Sequence, residues 1–154
     1  MVYAENVTKI VEIIDKILQE NFQEKLFDNP IFMVDQELNF EDYIQVRLSS
    51  NSLDLLFIVA FNGLDIYIDR ANEIYSFSRR RLQFDRERIE HIIRIVLTST
   101  MRIEYFGRCK TVIHVLDASG KDVALLRYYS GFYFFQRMSS QRVVGPAIVN
   151  KREA

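Results

Sequence analysis

LDLLFIVAFNGLDIYIDR, residues 53–70, is the stretch that decides the fold, because it predicts two antiparallel strands joined by a tight turn. Its first half is apolar almost throughout, which is typical of a central strand with both faces covered. Asn62-Gly63 tolerates the positive φ angles that a two-residue hairpin turn requires. In the second half apolar and polar residues alternate, so one face of that strand is predicted to be buried and the other exposed. The predicted buried positions are Leu64, Ile66 and Ile68.

Two amphipathic helices are predicted on either side of this hairpin, one near the N-terminus and one after Asp85. In both, apolar residues recur at the three- and four-residue spacing of a single helical stripe. Asn6 and Asp85 are the predicted N-caps. Each helix therefore has an apolar face that must pack against another apolar surface. The stripes consist of Val7, Ile10, Val11, Ile14, Ile17 and Leu18 in the first helix and Ile89, Ile92, Ile93, Val96 and Leu97 in the second.

Short apolar or alternating stretches, punctuated by turn residues, predict the remaining strands. Because hairpins dominate, we expect an α+β fold: a mainly antiparallel sheet of six to eight strands with the two helices packed on one face. No linker divides the chain, so residues 1–154 are expected to form a single domain. The tail from about residue 139 is expected to be loosely held, with Val143-Val144 or residues 147–149 as a candidate edge strand. The further strands are predicted at residues 31–34, 43–48, 101–106, 111–116, 123–129 and 132–135.

The composition is that of an ordinary globular protein, with 49% hydrophobic and 27% charged residues and a formal net charge of −1. Proteins that coat nucleic acid are usually basic, so nucleic acid is not expected as the main partner. Cys109 is the sole cysteine, so no intramolecular disulfide can form. The N-terminus lacks the features of a signal peptide, and no apolar run reaches the ~18–20 residues of a membrane span. We therefore expect a cytoplasmic protein without a membrane segment.

Few side chains are available for catalysis. The two histidines, His91 and His114, occur in no metal-ligand spacing, and no phosphate-binding loop is present. Cys109 and His114 are five residues apart, which places them on opposite faces of one strand and disfavours a nucleophile–base pair. Asp65 and Asp69 lie about 13 Å apart along a strand, too far for a pair of glycosidase carboxyls. The sequence therefore predicts no enzyme, no metal site and no cofactor.

The stretch YYSGFYFFQR, residues 128–137, is dense in aromatic residues. On strands, one aromatic row would pack under the helices and the other would face outward. The sequence leaves open whether a helix, the tail or solvent meets the outer row. An open row would be a site for a protein partner, with a homodimer as one form of it. The candidate partner-binding residues at outward positions are Asp65, Tyr67, Asp69, Arg127, Tyr129, Tyr133 and Arg137.

An arginine-rich stretch, SRRRLQFDRER at residues 78–88, supports a second hypothesis. Arg79, Arg80 and Arg81 suit bidentate contacts with phosphate or carboxylate. The competing interpretation is a solvated loop and first helical turn that nearby acidic residues neutralise. If nucleic acid binds this protein, these three arginines are its expected contacts, since residues 128–137 lack the RNA-recognition pattern of aromatic strands.

The order of elements from about residue 62 to 131 resembles a known class of proteins. GLDIYIDRANEIYSFS is followed by an amphipathic helix, a strand that ends at Gly107 and a hairpin around DASGK. This layout resembles that of the small single-domain α+β immunity proteins of bacterial polymorphic-toxin systems. The resemblance implies a cytoplasmic protein that binds a cognate toxin and blocks it, and it carries over no catalytic residues. The expected function is therefore a non-enzymatic protein–protein interaction module, with a nucleic-acid-binding or regulatory role through the three arginines as the alternative.

Overall fold

The computed structural model describes residues 5–22, 32–35, 43–50, 53–60, 63–69, 75–107, 109–129 and 137–147. Across these ranges the chain forms three helices and nine strands, and every strand pairing is antiparallel. The predicted α+β class is confirmed. The helices are α1 (Glu5–Phe22), α2 (Arg79–Phe84) and α3 (Arg86–Thr98). The strands are β1 (Phe32–Asp35), β2 (Ile44–Ser50), β3 (Leu53–Ala60), β4 (Gly63–Ile68), β5 (Tyr75–Ser78), β6 (Thr100–Phe106), β7 (Lys110–Leu116), β8 (Asp122–Tyr129) and β9 (Ser140–Val144).

The described strands are divided between two sheets rather than gathered in one. Sheet A has five strands in the order β1-β2-β3-β4-β5, and sheet B has four in the order β8-β7-β6-β9. Along the chain, α2 and α3 separate the last strand of sheet A from the first strand of sheet B. β6 pairs with β7 on one side and β9 on the other, so neither of its edges is open to sheet A.

The predicted hairpin between β3 and β4 is present, one residue out of the expected register. Ala60 pairs with Gly63, so the two turn positions are 61 and 62, which lie outside the described residues. Gly63 has a φ of 145°, and a Cβ built on it would lie 1.9 Å from the backbone oxygen of Phe77 in β5. Glycine is therefore required here because the neighbouring strand approaches too closely for any side chain.

One hydrophobic core contains residues of α1, α2, α3 and both sheets. β3 is the central strand of sheet A, as predicted, but only one of its faces is fully covered. Leu55, Phe57 and Val59 are completely buried. Leu56 and Ile58, on the opposite face, are half-buried. The expectation of two covered faces was wrong, since α1, the helix in contact with β3, packs on the buried face alone.

The apolar stripes of the two long helices are confirmed, as is the position of Asp85 at the N-cap of α3, whereas the prediction of Asn6 as a cap was wrong. Asn6 lies inside α1 and is buried, because the helix already begins at Glu5. Asp85 precedes α3, but its side chain makes no capping hydrogen bond. Residues 79–84, expected as a loop, form the short helix α2. Ser78 caps this helix by accepting a hydrogen bond from the backbone NH of Arg81 at 3.5 Å.

α1 and α3 run parallel, side by side, and are joined by three ion pairs at a constant sequence offset. Arg86 lies 3.3 Å from Glu12, and Lys16 lies 2.7 Å from Glu90. The third pair joins Arg94 to Glu20. Successive ion pairs are four residues apart in both helices, so the three pairs lie on one side of each helix.

The turn between β7 and β8 is the one that the sequence predicts from DASGKD. Asp117 accepts hydrogen bonds from the backbone NH groups of Ser119 and Lys121, each at 2.9 Å. It also accepts one from the Ser119 hydroxyl at 2.7 Å. These donors, the Ser119 hydroxyl first, lower the pKa of Asp117. Gly120 takes a φ of 84° and closes the turn, which fixes the register of β8 on β7.

The tail is more firmly held than the sequence suggests. Ser140–Val144 forms β9, which pairs with β6 and confirms the candidate edge strand. Val144 and Ala147 are buried in the core, so the chain is not loose from residue 139. Residues 148–154 lie outside the described ranges. Among the described helices, none is long and apolar enough to cross a membrane.

Candidate protein-binding face

The candidate site is the face of sheet B that points away from the core, called here the outer face of sheet B. The register places residues of all four strands side by side on it, as in the row Val143–Arg102–His114–Leu125. The residues between them, such as Ile103, Ile113 and Leu126, point into the core. The outer face includes Arg102, Glu104 and Phe106 of β6, Lys110, Val112, His114 and Leu116 of β7, Asp122, Val123, Leu125, Arg127 and Tyr129 of β8, and Gln141 and Val143 of β9.

More of the described large apolar side chains are exposed on this face than on the outer face of sheet A. Val143 is 63% exposed, Val123 58%, and Leu125 and Tyr129 41% each. On the outer face of sheet A, by contrast, Met33 is the one large hydrophobic residue of the described set that is exposed. Val143 lies on the edge strand β9 and the other three on the edge strand β8, with Arg102 and His114 between Val143 and Leu125. Exposed apolar surface bordered by polar residues is typical of protein interaction sites.

Four ionisable side chains in the middle of the face, Arg102, Glu104, His114 and Asp122, contact one another; we call them the ionic cluster. His114 Nδ1 lies 2.8 Å from Asp122 Oδ2, in hydrogen-bonding geometry. His114 Nε2 lies 3.1 Å from Glu104 Oε1, in a contact that is electrostatic rather than hydrogen-bonded. Arg102 lies 3.4 Å from Glu104 and 3.6 Å from Asp122. Each carboxylate of the cluster therefore has two basic side chains within 3.6 Å of it on the face.

At one end of the face, two cations lie among aromatic rings; we call Phe106, Lys110, Arg127 and Tyr129 the cationic corner. Phe106, Lys110 and Tyr129 are adjacent on three strands. Lys110 Nζ lies 4.6 Å from the centre of the Phe106 ring and 5.7 Å from that of Tyr129. Both distances suit cation–π attraction. Arg127 is exposed next to Tyr129 on β8.

The structure locates six of the seven predicted partner-binding residues. Arg127 and Tyr129 lie on the outer face of sheet B, on the side of β8 that the sequence assigns to them. Arg137 is exposed two residues before Ser139, whose NH donates to the Tyr105 carbonyl at 2.7 Å, so Arg137 adjoins the end of β6. Tyr133 lies outside the described residues.

The other three predicted residues are on or near sheet A. Asp65 and Tyr67 are half-buried on its outer face, opposite Ile58 and Leu56 of β3. The placement of Asp69 on that same face was wrong, since β4 ends at Ile68 and Asp69 turns away with a φ of 55°. The candidates therefore belong to two separate faces.

Arg79, Arg80 and Arg81, the alternative nucleic-acid contacts, begin α2, away from sheet B. Arg80 and Arg81 are exposed and line an open cavity of about 510 Å³ together with Ser78 and Asp85. The carboxylate of Asp85 in the same cavity offsets part of their charge, which makes the cavity a poor site for a polyphosphate.

The remaining chemistry-bearing residues do not converge. Cys109 is half-buried in the turn before β7, and His91 is exposed on α3. Among the described residues, no group of three or more His, Cys, Asp or Glu could hold a metal ion. The ionic cluster was not predicted, because its members come from three strands and their proximity depends on the pairing register. The alternation of Arg102 and Glu104 in β6 was the one local signal available.

Comparisons with models of known families, with curated proteins and with solved structures find no match to this chain.

Proposed function

We propose that this protein is a non-enzymatic protein-binding module that uses the outer face of sheet B. The single observation that carries the proposal is the exposure of Val123, Leu125, Tyr129 and Val143 on this face, around a cluster of ionisable side chains that contact one another. Burying apolar surface contributes about 25 cal/mol per Å², so covering these side chains would stabilise a complex.

The ionic cluster helps rather than hinders such binding. A lone charge that loses its water on binding costs several kcal/mol unless it gains a partner. In this cluster, Arg102 and His114 each already contact both Glu104 and Asp122. A partner can therefore cover the cluster without having to supply a counter-charge for each group, while its polar pattern still discriminates among partners.

A tyrosine and an arginine at one end of the face support the same function. Both residue types are enriched among the side chains that dominate binding energy at protein interfaces. Tyr129 offers a ring with 41% of its surface exposed, and Arg127 lies beside it on β8. Tyr129 and Arg127 would then contribute a larger fraction of the binding free energy than of the buried interface area.

The partner in this proposal is a cognate toxin in the cytoplasm, which the bound protein blocks by covering its active surface. The layout that resembles immunity proteins supports this choice. Among the described residues, the sparse supply of convergent reactive groups is consistent with a role that depends on surface complementarity. A homodimer formed through the same face is the competing occupant.

The test is protection from toxicity by variants of this face. The product of the adjacent coding sequence is expressed in a bacterial host, with and without this protein, and growth is measured. We expect the wild-type protein to restore growth, and Leu125→Asp and Val143→Asp to fail, because a carboxylate would be buried without a partner. Met33→Asp, an equally exposed apolar position on sheet A, is the matched control and should protect fully.

Two results would contradict the proposal. One is growth restored by the sheet B variants as well as by the wild type. The other is a stable homodimer that Val143→Asp dissociates, measured by light scattering after size-exclusion chromatography, because the face would then be occupied by a second copy.

A further inference from the structure

We infer that the partner segment bound at the cationic corner is acidic, with carboxylates that contact Lys110 and Arg127 and apolar side chains that pack on Tyr129 and Leu125. This inference rests on the proposed function, because it specifies the chemistry of the partner at the same face. It follows from the uneven distribution of charge over that face.

The middle and one end of the outer face of sheet B differ in whether their basic side chains contact carboxylates. In the ionic cluster, the Arg102 guanidinium and the His114 imidazole each have carboxylates within 3.6 Å. In the cationic corner, neither Lys110 nor Arg127 forms an ion pair with a described carboxylate. Among the described residues, the face therefore presents two cations without a carboxylate partner at one end and a set of side chains that already contact one another in the middle.

The Lys110 side chain is already restrained in the unbound protein. Its ammonium group lies near the rings of Phe106 and Tyr129 at the same time. Restricting a long side chain in advance lowers the entropy that is lost on binding. Cation–π contacts leave the donor hydrogens on the open side available, so the ammonium group can still donate to a carboxylate.

Arg127 adds a second, differently shaped donor. Its partner across the strands is Val112, and its neighbours on the same face of β8 are Leu125 and Tyr129. The planar guanidinium group binds a carboxylate through two parallel hydrogen bonds. A segment with a carboxylate over Arg127 and an apolar side chain over Leu125 would match both features.

A nucleic-acid strand fits this face less well than an acidic protein segment. Glu104 and Asp122 lie on the same face and would repel phosphates beyond the corner. The rings of Phe106 and Tyr129 could stack with bases at the corner, but beyond it the exposed side chains Val123, Leu125 and Val143 are aliphatic and offer no ring for stacking. Single-stranded RNA is therefore the competing ligand that the experiment must exclude.

Two labelled peptides and one RNA serve as probes. The first peptide contains Glu and Leu, the second has Gln in place of each Glu, and the RNA is a short oligouridylate. Fluorescence anisotropy is measured at about 0.01 M and about 0.15 M salt, between which the Debye length shrinks from ~30 Å to ~8 Å. We expect the acidic peptide to bind at low salt at least about fivefold more tightly than the Gln peptide, as charge complementarity requires.

The variants locate the site. Arg127→Gln and Lys110→Gln should each weaken binding of the acidic peptide about threefold or more, since each removes one charge contact. Arg80→Gln and Arg81→Gln, at exposed arginines of α2, are the matched controls and should leave it unchanged. Equal binding of the two peptides, no binding of the acidic peptide at low salt, loss through the α2 variants, or tighter binding of the RNA would each overturn the inference.

Failure of this inference can be told apart from failure of the proposed function. If Leu125→Asp abolishes protection from the toxin while Arg127→Gln and Lys110→Gln change neither protection nor peptide binding, the face binds a partner that is not acidic. If Leu125→Asp leaves protection intact, the proposed function itself fails, whatever the peptides show.

Discussion

Asp69, which follows the last residue of β4 in sheet A, forms an ion pair with Arg142 of β9 in sheet B, with 3.2 Å between Oδ1 and Nη2. Asp69 also accepts a hydrogen bond from the Tyr105 hydroxyl of β6. Its backbone NH donates to the Asp54 carbonyl at 2.7 Å, and its φ is 55°. One residue thus connects the two sheets, and its side chain is only 13% exposed. This contact is what keeps Asp69 away from the outer face on which the sequence placed it.

Replacing Asp69 by Asn should lower the free energy of unfolding by about 1–3 kcal/mol, because a partly buried arginine and a tyrosine lose their charged acceptor. Asn tolerates a positive φ, so the substitution tests the charge and not the backbone. Asp54→Asn is the control, since the Asp54–Arg47 pair is 3.8 Å apart and exposed on both sides. Urea denaturation measures both. Equal losses of unfolding free energy for the two variants would show that the Asp69 contacts between the sheets stabilise the fold no more than an exposed ion pair does.

Gly63→Ala should destabilise the protein by about 2–4 kcal/mol, because the added methyl group must displace backbone and the residue must keep a φ that alanine avoids. The new Cβ would lie 1.9 Å from the Phe77 oxygen. Gly145→Ala is the matched control, since a Cβ there has no neighbour within 4 Å. We expect that change to be neutral or slightly stabilising. A thermal melt that ranks the two variants in the opposite order would contradict the close approach of β4 and β5.

The Glu90 carboxylate, which contacts Lys16 of α1 at 2.7 Å and Arg94 at 3.0 Å, should make stability depend on pH. The hydrogen bond from Lys16, with that from Arg94, lowers the pKa of Glu90 from its ordinary value of 4.5. The folded protein therefore releases this proton more readily than the unfolded chain, so the stabilisation is present above about pH 4.5 and disappears as the pH falls through the lowered pKa.

Glu90→Gln should accordingly reduce the loss of stability on acidification. At neutral pH it should lower the free energy of unfolding by at most about 1 kcal/mol, since Lys16 is largely exposed and its charge is screened. Glu87→Gln, at an exposed position on the same helix, should leave the pH profile as it is in the wild type. Denaturation midpoints measured from about pH 7 to pH 3 distinguish the two. If the stability of Glu90→Gln fell with pH as steeply as that of the wild type, the Glu90 carboxylate would not be the source of the pH dependence.

The periodic features of this fold were predictable from the sequence because they depend on neighbours a few residues away. The stripe of α3 and the alternation of Leu126 and Arg127 in β8 follow from helical and strand geometry alone. The division into two sheets, the inward turn of Asp69 and the ionic cluster around His114 depend instead on which strand pairs with which. That choice is made by contacts far apart in the sequence, for which periodicity holds no signal.

Leu125 and Leu126 are consecutive in β8 and identical in chemistry, so they separate binding from folding. Leu126 is 3% exposed in the core and Leu125 is 41% exposed on the outer face. Leu126→Ala should cost about 2–4 kcal/mol of stability, because it removes buried methyl groups and leaves a cavity. Leu125→Ala should change stability by less than about 0.5 kcal/mol, as surface substitutions usually do, while it weakens partner binding. If urea denaturation instead showed the larger loss of stability for Leu125→Ala, the Leu125 side chain would stabilise the fold. That result would contradict the assignment of the outer face of sheet B as an open binding surface.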